Sequence, residues 1–112
     1  MKKIFYNGNK LDYADENTET NGFDDLQIFH AFADSLRELR AYCGLSLIKL
    51  SSATDIPNQT LSSYERKSRT PSVVQAIKIA TYFGLTVEDF VICGLENINQ
   101  DITEVYEERK NS

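Results

Sequence analysis

The sequence predicts a mainly α-helical domain of five short helices, with a β-hairpin before it and a short C-terminal extension after it. Three observations predict this. From Asp24 onward, apolar residues recur at three- and four-residue steps and do not alternate. The stretches open on residues suited to cap a helix (Asp24 or Asp25, Ser46, Ser72, Thr86), and two of them close on glycine, Gly44 and Gly84. Between two of the stretches lies only Thr54-Asp55-Ile56-Pro57, a corner, because Pro57 lacks a backbone donor and disfavours the helical conformation at Ile56.

Taken in order, residues 1–24 form an acidic N-terminal segment with a hairpin over 2–13 and a linker. Asn7-Gly8 is a two-residue hairpin turn signal, and it sets Tyr6 opposite Asn9, Phe5 opposite Lys10, Ile4 opposite Leu11 and Lys3 opposite Asp12. Ile4, Tyr6, Leu11 and Tyr13 then share one side, which needs cover from the helical body or from a second chain, since an isolated hairpin is marginal. A disordered tail is the competing expectation. Residues 14–22 are polar, acidic and aperiodic, as in a linker.

The first helix starts near Asp24 or Asp25 and carries the stripe Leu26, Phe29, Phe32/Ala33, Leu36, Leu39 and Cys43, ending at Gly44. Phe29 and Phe32 serve either to enlarge the core or to contact a second subunit. Ser46 caps a helix from Leu47 to about Thr54, with Leu47, Leu50, Ser51 and Thr54 on one face. The next runs from about Pro57 to Arg66 with Leu61 and Tyr64 inward. Val73, Ala76, Ile77, Ala80 and Phe83 mark the fourth helix; Val87 to about Ile92 is the fifth. Residues 93–112 form an acidic extension, helical by the spacing of Ile98, Ile102 and Val105 or strand-like by the alternation of 102–106.

Composition narrows the function. A chain of 112 residues, 41% hydrophobic and 26% charged, holds one small globular domain (25–92) with room for flanking segments. No apolar run reaches the roughly 18 residues a membrane span requires, and residues 1–8 lack a signal peptide's apolar core, so a cytoplasmic location is expected. Cys43 and Cys93 have no CxxC partner, which points to free, partly buried thiols and to neither zinc nor a disulfide. His30, the only histidine, has no catalytic partner in spacing, and neither a glycine-rich phosphate loop nor a metal-ligand cluster is present. Glu104, Glu107 and Glu108 fit a solvated helix face. Neither an enzyme nor a cofactor or metal is indicated.

The net charge of −5 is unusual for a chain that binds nucleic acid, but it is unevenly spread. Residues 35–92 carry seven basic against five acidic residues, with Arg66, Lys67 and Arg69 clustered. Residues 1–34 carry three against seven, and residues 93–112 two against five. The acid lies in the flanks.

Two helices joined by so short a corner cross steeply, which is helix-turn-helix geometry, here over residues 47–66. The outward face of the second helix reads Asn58, Gln59, Ser62, Ser63 and Arg66. Asparagine and glutamine can bond an adenine edge bidentately, serine takes either base type, and arginine suits guanine or phosphate.

Residues 36–90 resemble the Cro/CI-type helix-turn-helix domain, the XRE family of transcriptional regulators. The resemblance runs through Leu36-Arg37-Glu38-Leu39-Arg40, Gly44-Leu45-Ser46, Thr60-Leu61-Ser62, Tyr64-Glu65-Arg66, Pro71-Ser72, Lys78-Ile79-Ala80, Phe83-Gly84-Leu85-Thr86 and Glu88-Asp89-Phe90. It implies a five-helix lambda-repressor-like domain that binds operator DNA, usually as a homodimer. It implies base contacts from Asn58, Gln59, Ser62 and Ser63, phosphate contacts from Ser46, Arg66, Lys67 and Arg69, and a structural ion pair between Arg40 and Glu65. The chain departs from the family pattern at Leu47, where a phosphate-binding Gln is usual, and at Asp55 and Lys67, where Gly is usual. Pro57 stands in place of a Ser/Thr cap. The expected function is a sequence-specific DNA-binding regulator, with the N-terminal segment open to a protein or effector partner. The alternative is a protein-interaction module on the same scaffold without DNA binding, to which the overall acidity, Leu47 and Asp55 point.

Overall fold

The computed structural model describes residues 22–95 and 101–111 in full and the backbone of 4–7 and 10–13. Residues 1–3 and most of the expected linker, 14–21, lie outside the described residues, as do 96–100, which include Ile98.

Strands β1 (Ile4–Asn7) and β2 (Lys10–Tyr13) pair antiparallel, with Ile4↔Tyr13, Phe5↔Asp12, Tyr6↔Leu11 and Asn7↔Lys10. This corrects the expected register: Gly8 and Asn9 separate the strands, where Asn7-Gly8 was expected to. Gly-Asn is itself a hairpin-loop pattern, so Asn7-Gly8-Asn9 carries two overlapping signals one residue apart. The pairing moves by two residues, and because the pleat repeats every two, each position keeps its face.

Six helices follow among the described residues: α1 (Asp25–Tyr42), α2 (Leu47–Thr54), α3 (Asn58–Glu65), α4 (Val73–Tyr82), α5 (Val87–Leu95) and α6 (Ile102–Lys110). None is long and apolar enough to cross a membrane. α1 is the spine, packed against α5, α6 and α3. Its N-terminus is a full capping box: the Gln27 N–H donates to Asp24 Oδ1 at 2.8 Å, and the Asp24 N–H donates to Gln27 Oε1 at 2.9 Å. α2 and α4 are capped by Ser46 and Ser72 in the expected way, each Oγ accepting from a backbone N–H three residues on.

α1, α3 and α4 stop by one device. In each, the residue after the C-cap takes a left-handed backbone, and two N–H groups return to carbonyls of the last turn. Gly44 and Gly84 do this for α1 and α4, whereas Lys67 does it for α3, at φ 64°.

Phe32, Leu36, Leu39, Leu50, Ile56, Leu61, Tyr64, Ile79, Phe83 and Phe90 form one core. The Phe90 ring lies 4.8 Å from Phe32 and 5.6 Å from Phe83, centroid to centroid. Phe32 therefore takes the core role of its two readings, while Phe29 is only half-buried.

Four expectations are corrected here. Leu26 is 59% exposed, because α1 begins one turn beyond the packed body. Cys43 is exposed, though Cys93 is buried. On α4 the inward residues are Ala76, Ile79, Ala80 and Phe83, leaving Val73 and Ile77 outside. Aliphatic residues surround that helix, so its periodicity could not choose a face. Finally, the domain does not stop at residue 92. That position falls inside α5, and α6 buries Ile102, Val105 and Tyr106 in the same core. An Arg109 Nη1–Asp89 Oδ1 ion pair at 2.8 Å ties α6 to α5.

The α1–α5 crossing is close enough that backbone meets backbone. A Cβ built on Gly94 would lie 2.2 Å from the Ala31 carbonyl oxygen. One residue-turn away, the buried Ser35 hydroxyl donates to the Phe90 carbonyl at 2.7 Å. Glycine inside a helix costs about 1 kcal/mol relative to alanine, and here the close approach requires it. Gly94→Ala is expected to destabilise the domain by about 2 kcal/mol through overpacking, read as a lower urea midpoint at unchanged m-value.

Candidate nucleic-acid interface

The corner between α2 and α3 is built by three residues with separate tasks. Asp55 takes the left-handed conformation at φ 59° and returns its N–H to the Ser51 carbonyl at 2.8 Å. Aspartate occupies that region more readily than most side chains, which lets it stand where glycine is usual. Ile56 is buried and pins the corner to the core. Pro57 precedes the first turn of α3 in an extended conformation and offers no side-chain cap. The leading N–H groups of α3 are thereby left to solvent or to an incoming acceptor.

Arg40 holds this unit against the body. Its Nε donates to Glu65 Oε2 at 2.6 Å and its Nη2 to Glu65 Oε1 at 3.2 Å, while Nη1 reaches the Leu45 carbonyl at 2.8 Å. One guanidinium thus joins the end of α1, the loop before α2 and the last turn of α3. The Glu65 side chain is only 9% exposed and that of Arg40 21%. The hydrogen bond it donates to Glu65 holds the Arg40 pKa above its ordinary value, against the opposing effect of burial. A second anchor lies at the buried Tyr64, whose hydroxyl donates to Gln75 Oε1 in the first turn of α4. Burial raises its pKa, with the Arg69 charge acting in the opposite sense.

With both anchors in place, α3 turns Leu61, Ser63 and Tyr64 inward and leaves Asn58, Gln59 and Arg66 exposed and Ser62 half-exposed. Ser63 departs from its expected place among the base contacts. It is 6% exposed, its hydroxyl donates to the Thr60 carbonyl at 2.6 Å, and its own carbonyl accepts from Ser68 and Arg69. At 100° per residue, Ser63 stands about 40° beyond Gln59, at the margin of the exposed face and nearest the protein body.

The basic residues divide in the same manner. Arg66 lies along α3 with Nε 3.3 Å from the Ser62 carbonyl, and Arg69 is exposed on the following loop. Lys67, expected at a phosphate, is paired within the free protein, its Nζ 3.0 Å from Asp34 Oδ1 on α1. Ser46 spends its hydroxyl on the Lys49 N–H, which leaves the N–H groups of Leu47 and Ile48 as the free donors of that helix end. Leu47 itself packs on the core, so the position of the usual glutamine is given to hydrophobic contact.

Three contributors were not legible in the sequence: the Leu45 carbonyl, Gln75 and Asp34. Each is brought to the site from another element, and no local pattern marks it.

An open apolar recess of about 550 Å³ is lined by Leu26, Phe29, Phe32, Pro71, Val73 and Val87 among others.

A family model described as helix-turn-helix matches residues 36–90. Among solved structures, the chain is similar to that of the clp gene regulator ClgR from Corynebacterium glutamicum. The TM-score is 0.58 and the identity 23%, over 72% of this chain and 84% of that one. At this identity the likeness speaks for the fold. No curated protein matches the chain.

Arg40→Ala would leave the Glu65 carboxylate without its partner in a nearly dry setting, and should cost about 3 kcal/mol of stability, measured by urea unfolding. A second expectation concerns pH. Burial also raises the Tyr106 pKa, so for Tyr64 and Tyr106 the folded state holds the phenol proton more tightly than the unfolded state. Their contribution is complete below the ordinary tyrosine value of 10.0 and is lost as pH rises through the folded-state pKa. The urea midpoint should therefore decline in that alkaline range, and less steeply in Tyr106→Phe.

Proposed function

Because residues 36–90 belong to the Cro/CI-type helix-turn-helix family, also called the XRE family, we propose that this protein is a sequence-specific DNA-binding transcriptional regulator. The observation that carries the reading is the outer face of α3. Asn58 and Gln59 stand exposed at the helix start, followed one turn on by Ser62 and then by Arg66. These groups bond base edges, and they face outward because the helix that bears them packs Leu61 and Tyr64 into the core beside the buried Ile56.

In this reading α3 enters the major groove. Asn58, Gln59 and Ser62 read bases, Arg66 and Arg69 neutralise phosphates, and the first N–H groups of α2 beside Ser46 meet the backbone. One such domain makes few contacts, so a homodimer on two half-sites about one helical turn, roughly 34 Å, apart supplies the affinity. The acidic flanks keep the mildly basic centre as the DNA-facing region.

A protein-interaction module is the second reading, favoured by the apolar recess beside Leu26 and Phe29 and by the exposed Asp55 carboxylate at the corner. A tight protein complex in size exclusion, together with no retention of any duplex, would select it.

Selection of bound sites from a random duplex pool tests the first reading, and an enriched near-palindrome is expected. Gln59→Ala should relax the preference at one base position by about 1–3 kcal/mol. Arg69→Ala should weaken all duplexes alike and lower the salt slope by about one. A salt titration without slope for any duplex would overturn the assignment.

A further inference from the structure

Lys67 is the point where this chain handles the end of α3 unlike the ends of α1 and α4. Its backbone is committed: φ is 64°, its N–H donates to the Tyr64 carbonyl at 3.1 Å, and the next N–H, of Ser68, donates to the Ser63 carbonyl at 3.0 Å. A side chain in the left-handed region costs about 1–2 kcal/mol relative to glycine. The chain accepts a lysine there nonetheless. What that lysine does in the free protein is to place Nζ 3.0 Å from Asp34 Oδ1, on the third turn of α1. The pair is partly solvated, with the two side chains 33% and 27% exposed. Arg37 Nη2 also lies near that carboxylate at 4.0 Å, but it is closer to Glu38, at 3.4 Å.

A solvated ion pair of this kind is weak and exchangeable. The ammonium it holds follows directly on Arg66, at the edge of the face assigned to DNA. A carboxylate and a phosphodiester present the same chemistry to an ammonium: an anionic oxygen at hydrogen-bonding distance.

Resting on the DNA-binding reading above, we propose that Asp34 is an internal stand-in for a DNA phosphate. It holds Lys67 in the free protein and competes with the duplex backbone for the same ammonium. Asp34 thereby sets the affinity of the domain without touching DNA. Its effect is independent of sequence, because phosphates carry no base information. Binding exchanges one ion pair for another, so Lys67 contributes less to affinity than a free lysine would.

The test is a cycle of Asp34→Asn and Lys67→Gly on the full chain, with duplex affinity measured across a salt series. Lys67→Gly suits the left-handed backbone and should keep the fold, which thermal unfolding of every variant checks. Asp34→Asn is expected to tighten binding to selected and random duplexes alike by about two- to fivefold, with the salt slope nearly unchanged because Lys67 neutralises the same phosphate in both proteins. In the Lys67→Gly background the same substitution should leave the affinity unchanged. If Asp34→Asn binds no tighter than the parent, or if its gain persists without Lys67, this inference fails while the DNA assignment stands. If neither the parent nor Asp34→Asn retains any duplex at low salt, both fail.

Discussion

The fork of Arg40 is the constraint on which the rest of the fold's usefulness depends. A guanidinium presents donors in a rigid plane, and here three of its nitrogens are engaged on two elements that no short-range force would bring together. Removing the charges from water is costly, and the arrangement is favourable only because both Glu65 oxygens and the Leu45 carbonyl are satisfied together. Packing buries Leu50, Ile56 and Leu61, and the fork ties the last turn of α3 to the end of α1, on the helix from which Asn58 and Gln59 project.

Around that tie the domain is assembled by contacts of increasing reach. Local capping starts and stops the helices, since Ser46, Ser72 and the Asp24–Gln27 box act within a single turn. The aromatic cluster of Phe32, Phe83, Phe90 and Tyr106 then joins α1 to α5, α6 and the end of α4. Gly94 lets the two longest-contacting helices approach until backbone touches backbone. The site is the last layer, and the polar groups of α3 remain outside because the apolar ones are already spent on the core.

Where the helical region of the sequence and the structure diverge, the reason is tertiary packing. Leu26 and Ile77 satisfy a helical spacing yet face outward, because a spacing rule reports that a face exists and not whether anything lies against it. Ser63 sits among polar neighbours in the sequence but lies just past the edge of their face, on the buried side. Lys67 belongs by sequence to the basic cluster, yet its ammonium is taken by Asp34 from a different helix. The extension after residue 92 reads as acidic because five acidic residues face two basic ones, but three of its apolar residues suffice to dock α6.

The chain by itself determined the first five helices, the caps at Asp24, Ser46, Ser72 and Thr86, the corner at Asp55–Pro57 and the resemblance over 36–90, because these depend on residues within one or two turns of each other. It also determined that amide and hydroxyl groups cluster on one helix. Only the tertiary structure decided which of those groups stand free and which basic side chains are already engaged. It alone decided that the C-terminal helix belongs to the body. Those outcomes depend on pairs such as Arg40–Glu65, Lys67–Asp34 and Gly94–Ala31, whose members meet only after distant segments have packed.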